Sequence, residues 1–273
     1  MLLSLAAALG AAIAFGVAAV LQAIGTSRAS APTGADPRLL LLLLRQPMFL
    51  GALALDGGGF ALHVLALRSL PLFLVQSVVA SSVAVTALVA ARVFRAALTP
   101  AQWGAIAGVC AGLAVLGTSA ESLTGTATGT PLRLGLLAGV LATAVAGPAA
   151  TRLPGRAGAV VLGLVGGVDF GIVAVCARVL PGTVGALLTD LASYVLLLAG
   201  LLAFLLYSLA MQRGSVTTTT AALVITQTGI PAVLGVALLG DRVRPGWAVP
   251  AVLGFVVALA GTALLSRLDR VSA

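Results

Sequence analysis

The chain contains no lysine, one histidine and two cysteines among 273 residues. Charged residues make up 8% and aromatic residues 4%. A soluble domain carries about 25% charged residues, so there is too little polar surface here to cover a water-soluble globule. No hydrophilic run is long enough to fold as a separate domain. With one histidine, and with Cys110 and Cys176 apart inside apolar stretches, no zinc-type cluster exists. The two cysteines are expected to be small packed residues. Without G-x-S-x-G or a phosphate loop, the sequence offers no catalytic constellation and no cofactor motif, so an enzyme is not expected. The 15 basic residues are all arginine and no loop concentrates them, which argues against nucleic-acid binding and for membrane flanks.

What is present is apolar: 60% of residues are hydrophobic and the mean hydropathy is +1.19. A span takes roughly 20 apolar residues, and the chain divides into about nine. They are Leu2 to Ile24, Pro47 to Leu67, Leu70 to Ala91, Ala101 to Thr118, Leu132 to Gly147, Gly158 to Val179, Ala186 to Met211, Val216 to Leu239 and Trp247 to Leu265. The first lacks the basic start of a signal peptide and reads as a retained helix. Leu39 to Leu44 is too short to span, and reads as an interfacial turn or as the remnant of a tenth helix. The fold class is therefore an all-α integral membrane protein whose partner is the lipid bilayer.

Placing the N-terminus outside puts Arg28, Arg38, Arg45, Arg92, Arg95, Arg152, Arg156, Arg213, Arg267 and Arg270 on the cytoplasmic side. The other side receives Arg68, Arg133, Arg178, Arg242 and Arg244. The positive-inside rule then predicts a cytoplasmic C-terminus in a multi-pass plasma-membrane protein.

An internal repeat organises these spans. Residues 67 to 118 read LRSLPLFLVQSVV…RAALTPAQW…GT, and residues 212 to 262 read QRGSVTTTTAALV…GDRVRPGW…GT. Arg68 falls on Arg213, Pro100 on Pro245, Trp103 on Trp247 and Gly117-Thr118 on Gly261-Thr262. Phe15-Gly16 likewise falls on Phe170-Gly171. Helices one to four thus repeat as helices six to nine, with helix five between. The organisation is 1–118, first repeat; 119–157, linker with helix five; 158–273, second repeat. An odd number of helices between copies inverts the second, a plan shared by many secondary transporters with sites between the halves.

This pattern resembles the drug/metabolite transporter superfamily (EamA-like). The resemblance rests on Leu67-Arg68 ending one helix, the Gly240-Asp241-Arg242 loop, and a Trp-containing helix ending Gly-Thr. The first half has Arg95-Ala96 where that family commonly has Gly-Glu. Within the superfamily, Pro71-Leu-Phe-Leu-Val75-Gln76-Ser77 is similar to the Pro-x-x-Leu-Val-Thr-Pro element of the NIPA-like magnesium transporter branch, with Ser77 in place of its proline. Asp56-Gly57 is similar to the Gly-Glu preceding that element, displaced by about a turn. The resemblance implies transport of a small solute or a divalent cation such as magnesium, and leaves a homodimer open as an assembly.

Two carboxylates lie deep in apolar segments, where each costs roughly 2.5 kcal/mol or more to insert, so they are site candidates by default. Asp56 precedes Gly57, Gly58 and Gly59, a run expected to weaken or break its helix and expose carbonyls to a cavity. The other reading of that run is close helix packing. Asp169 sits in the sixth span. A hard cation wants several oxygen ligands. The expected substrate-binding set is Asp56, Asp169, Gln76, Ser81, Thr226, Gln227 and His63, with Ser81-Ser82 falling on Thr226-Gln227 in the repeat. His63 follows Asp56 by seven residues and shares its face; it serves a proton relay or is simply packed. Arg178 and Asp190 read as snorkelling or capping residues at helix ends, and Thr217 to Thr220 as a cap or a pathway lining. The expected function is secondary transport by alternating access. The alternatives are a non-transporting scaffold or accessory subunit, and a flippase or exporter of an amphipathic metabolite.

Overall fold

A computed structural model describes residues 2–28, 47–95, 97–121, 129–213 and 216–268. The stretch Leu39 to Leu44 lies outside the described residues, as does most of the Ser119 to Thr130 linker. The described chain is helical, with no strand beyond one isolated antiparallel bridge, Ala120 to Val243. The helices are α1 (Leu2–Arg28), α2 (Pro47–Leu67), α3 (Leu72–Ala80), α4 (Ser82–Val93), α5 (Pro100–Ser119), α6 (Thr130–Ala150), α7 (Gly155–Val179), α8 (Val184–Leu187), α9 (Leu191–Arg213), α10 (Val216–Leu238) and α11 (Ala248–Leu268). Among the described residues, eight spans are long and apolar enough to cross a bilayer, α3 and α4 together making one of them. In α10 the apolar stretch is the shorter Ala222–Leu238, because threonines open that helix. The chain is a multi-pass helical membrane protein in its composition and architecture.

Several boundaries differ from the sequence expectation for local reasons. The third span is interrupted for one residue at Ser81, where ψ is −7° and the hydroxyl donates to the Val78 carbonyl at 2.6 Å. A serine hydroxyl that competes for the ladder carbonyls in this way bends helices. Helix α9 begins at Leu191 rather than Ala186, because the Asp190 carboxylate accepts from the Ala192 N–H at 2.8 Å and so caps a new helix. Pro148 does not end α6, which runs on to Ala150 and closes with the Thr151 hydroxyl donating to the Pro148 carbonyl at 2.7 Å. Helix α5 starts on a capping box, Thr99 with Gln102, and has proline in its first position.

Packing follows a simple pairing. Helix α1 lies against α2 and the α3–α4 rod; α7 lies against α9, α10 and α6; α5 lies against α11, and α3 against α10. Small residues set these approaches, as membrane interfaces favour. A Cβ on Gly112 of α5 would come within 2.5 Å of the Gly254 carbonyl of α11. A Cβ on Gly16 of α1 would meet Val85 of α4 at 2.6 Å, and one on Gly171 of α7 would meet Pro231 and Ile230 of α10. Cys176 is packed in the core, whereas Cys110 is exposed on the outer surface of α5, so only one of the two cysteines is a core residue.

The helix directions bring residues 2–5, 67–72, 119–121, 178–191 and 239–247 to one end of the bundle. That end is tied between distant parts of the chain. Arg244 N–H donates to the Ser119 carbonyl at 2.8 Å and Glu121 N–H to the Arg242 carbonyl at 3.2 Å. The Ser4 and Ser69 hydroxyls meet, and Arg68 reaches the Pro181 carbonyl at 3.4 Å.

Candidate functional site

Helix α2 carries Asp56 and His63 on one stripe with Ala52, Gly59 and Ala66, the side turned toward the rest of the protein. Asp56 is half-buried there. The helix runs unbroken through Asp56-Gly57-Gly58-Gly59, so no carbonyls are freed at that point. The three glycines stay helical because the ladder continues through them. Gly59 seats Phe15 and Ala14 of α1, while Gly57 and Gly58 border open space. The packing reading of this run therefore applies to Gly59, and the broken-helix reading does not hold.

His63 is 7% exposed, and its Nε2 finds no hydrogen-bond partner among the described residues. The ring stands edge-on to Phe60 with centroids 6.2 Å apart, and it lies beside the Gln76 side chain. Gln76, on α3, donates from Nε2 to the Gln227 backbone carbonyl of α10 at 3.2 Å. This carbonyl belongs to a helix containing Pro231, four residues on, whose missing N–H leaves the Gln227 oxygen short of its intrahelical donor. The sequence thus prepares both partners: a proline frees an acceptor on α10, and a buried amide on α3 reaches it. The three residues come from α2, α3 and α10. Gln76 and His63 stand about one helical turn in from Leu72 and Leu67 at the tied end.

Asp169 is elsewhere. It is fully buried on the side of α7 that faces α6, with Oδ1 2.7 Å from the Thr143 hydroxyl and Oδ2 without a partner among the described residues. The Thr143 hydroxyl also reaches the Val140 carbonyl at 2.8 Å. Thr226 does not face Gln76; its hydroxyl turns to α7, where it donates to the Leu164 carbonyl at 2.9 Å. It fits only because residue 167 is glycine, a Cβ there falling 1.9 Å from the hydroxyl oxygen. Ser81 spends its hydroxyl on its own helix. The expected set therefore separates: His63, Gln76 and Gln227 meet, Thr226 and Ser81 serve helix geometry, and Asp169 makes its own contact with α6. No group of three or more His, Cys, Asp and Glu able to hold a metal occurs among the described residues.

Sequence reasoning passed over the ion pair that covers this cluster. Arg178, at the end of α7, donates to the Leu67 carbonyl and to the Leu70 carbonyl at 2.7 Å, closing over the turn between α2 and α3. Its second nitrogen lies 3.6 Å from Asp241 Oδ1, with both side chains almost fully buried. Asp241 Oδ2 in turn accepts from the Leu72 N–H, the first of α3, at 2.5 Å. Burial pushes the Asp241 carboxyl up, while the Leu72 N–H and the Arg178 guanidinium pull the other way. Nearby, Arg133 of α6 makes a two-pronged bond to Asp190, with Nε to Oδ1 at 2.9 Å and Nη2 to Oδ2 at 2.8 Å. That bond holds the Asp190 carboxyl below the usual carboxylate range. The available signal was the single acid in the Gly240 to Pro245 loop, between apolar residues and two arginines. Its partner lies 63 residues back, and no local pattern links them.

The arrangement offers hydrogen-bonding groups from several helices under a lid made of one guanidinium, one carboxylate and three backbone groups. Fold and site define a polytopic helical membrane protein with a buried polar cluster. Compared with profiles of protein families, with curated proteins and with solved structures, the chain matches none.

Proposed function

We propose that the chain is a secondary transporter of the drug/metabolite type, moving a small polar solute across the cytoplasmic membrane by alternating access. The observation that carries this reading is the Gln76 to Gln227 hydrogen bond beside His63, directly beneath the buried Arg178–Asp241 pair. Polar groups from both parts of the chain converge there, and one end is closed over them. In this reading the chain has nine spans, residues 1–118 and 158–273 are inverted copies, and the C-terminus is cytoplasmic.

The helix pairing supports the repeat. The α1–α2 contact corresponds to α7–α9, and α1 on the α3–α4 rod corresponds to α7 on α10. The matched glycines meet matched neighbours, Gly16 on Val85 and Gly171 on Ile230. The pairs α5–α11 and α3–α10 correspond to themselves under the exchange, as a two-fold relation requires.

Of the two substrate classes, the cluster suits a solute better than magnesium. A neutral amide, an imidazole and a backbone carbonyl pair with donors and acceptors of a solute, whereas a hard cation gains most from carboxylates. The test is uptake into proteoliposomes, with a panel of amino acids, small amines, sugars and divalent cations. Gln76→Ala and His63→Ala should each depress the flux that wild type supports while leaving the purified protein monodisperse. Flux of the same substrate at wild-type rate in both variants would sink this site assignment, and no flux with any substrate would favour the scaffold reading.

A further inference from the structure

We propose that the pocket between the end of α4 and the start of α5 binds the phosphate headgroup of an anionic phospholipid. The pocket is about 590 Å³ and open to one side, lined by Leu88, Ala91, Arg92, Arg95, Leu98 and Trp103 among others. It lies where two spans end, at the end of the bundle opposite the Arg178–Asp241 pair.

Four observations point to this ligand. First, Arg92 and Arg95 both turn into the pocket, and neither guanidinium has an ion-pair or hydrogen-bond partner among the described residues. Two uncompensated guanidiniums side by side repel each other and call for an anion. Second, the Arg95 backbone sits at φ 54°, the left-handed region that residues with a Cβ rarely adopt. Such strain gathers at ligand-holding positions. Third, the pocket is two-natured. Leu88, Ala91 and Leu98 form an apolar wall, and Trp103 and the neighbouring Phe94 are 55% and 60% exposed. A free phosphate uses only the arginines; a lipid uses both parts, acyl chain on the wall and headgroup on the guanidiniums. An indole ring at this level marks the membrane–water boundary. Fourth, the matching loop of the second copy carries Asp241, which turns inward onto Arg178. Its counterpart in the first copy is Ala96, so this loop supplies no carboxylate of its own.

Most arginines flank this end of the spans, the side assigned to the cytoplasm, where anionic lipids attract basic groups by about 1 kcal/mol each. That corresponds to roughly fivefold in affinity per arginine. The two tryptophans allow a direct measurement, since Trp103 lines the pocket and Trp247 lies at the far end. With Trp247→Phe as background, Trp103 fluorescence is followed in vesicles carrying brominated phosphatidylglycerol or brominated phosphatidylcholine. Phosphatidylglycerol should be preferred by roughly 25-fold at low salt if both arginines contribute fully. The preference should vanish in Arg92→Gln/Arg95→Gln and persist in Arg92→Lys/Arg95→Lys, whose folding controls for the first. Equal quenching by the two lipids overturns the proposal. So does a preference that survives the glutamine variant, and so does its loss on adding millimolar inorganic phosphate, which would mark a soluble-anion pocket instead.

Discussion

Arg178 and Asp241 show how a membrane protein treats a charge that it cannot leave in water. The guanidinium has no room to snorkel outward, as its place near a helix end led one to expect. It turns across to two carbonyls and a carboxylate instead. Removing one member of a buried pair costs about 3–5 kcal/mol, because the survivor is left uncompensated. Cys176, two residues before Arg178 and fully buried, reports on the consequence. On a Cys110→Ala background, Cys176 should react slowly with a small maleimide in the wild type. In Arg178→Gln or Asp241→Asn it should react at least roughly 100-fold faster, at tenfold per 1.4 kcal/mol. Unchanged labelling in both variants would mean that the pair does not hold this end shut. Asp190 makes a separate case at the same end. Its carboxyl is held below the unfolded value of about 3.9, so the bond to Arg133 adds stability above that pH and loses it as pH falls through the folded pKa. Asp190→Asn keeps a cap for Ala192 and removes only the charge. The stability gap between it and wild type should be present at about pH 6, small because the pair is partly exposed, within about 1 kcal/mol; it should begin to shrink only below about pH 4 and vanish once the pH has fallen through the folded pKa. A gap that persisted in acid would locate the effect in the cap rather than the ion pair.

At the scale of elements, the sequence announces spans clearly and their ends poorly. Hydropathy alone carries the positions of α1, α2, α5, α7 and α11, because a run of some 20 apolar residues has few other fates. Ends depend on single side chains: the Ser81 hydroxyl splits α3 from α4, and Asp190 moves the start of α9. The expectation that three glycines break α2 fails for a related reason. In water a helical glycine costs about 1 kcal/mol against alanine, but in an apolar surround a broken ladder strands backbone groups, which is costlier still. The site was half legible. His63 and Gln76 stood out as polar residues in apolar runs and lie side by side, whereas Gln227 joins them through its backbone carbonyl, which any residue there would supply. Thr226 stood out equally and serves only the α7–α10 contact, since polarity in a sequence does not say which neighbour a side chain will find. The close contact between α5 and α11 gives a test at this scale. Gly112→Val places methyl groups against the Gly254 carbonyl, and overpacking of this kind costs about 1–3 kcal/mol. The thermal midpoint in detergent should drop by several degrees, whereas Gly104→Val, at a position with open space around it, should leave it unchanged.

For the whole molecule, the tied end and the pairing of helices divide the work unevenly. Joints at the tied end link the α2–α3 turn to α7, and the α5 terminus to the loop before α11. Opening that end requires these joints to part together, since each alone would leave the others holding.

The connecting helix α6 takes its partners from one side. α6 packs on α7 and α9, gives Thr143 to Asp169 and gives Arg133 to Asp190. It is a connector in sequence and packs with the helices that follow it. On the proposed repeat the chain divides as four spans, one span and four spans, whereas by packing α6 groups with α7 and α9. Any displacement of α7 would therefore carry α6 with it, along with the buried Asp169 carboxylate and the Arg178 guanidinium.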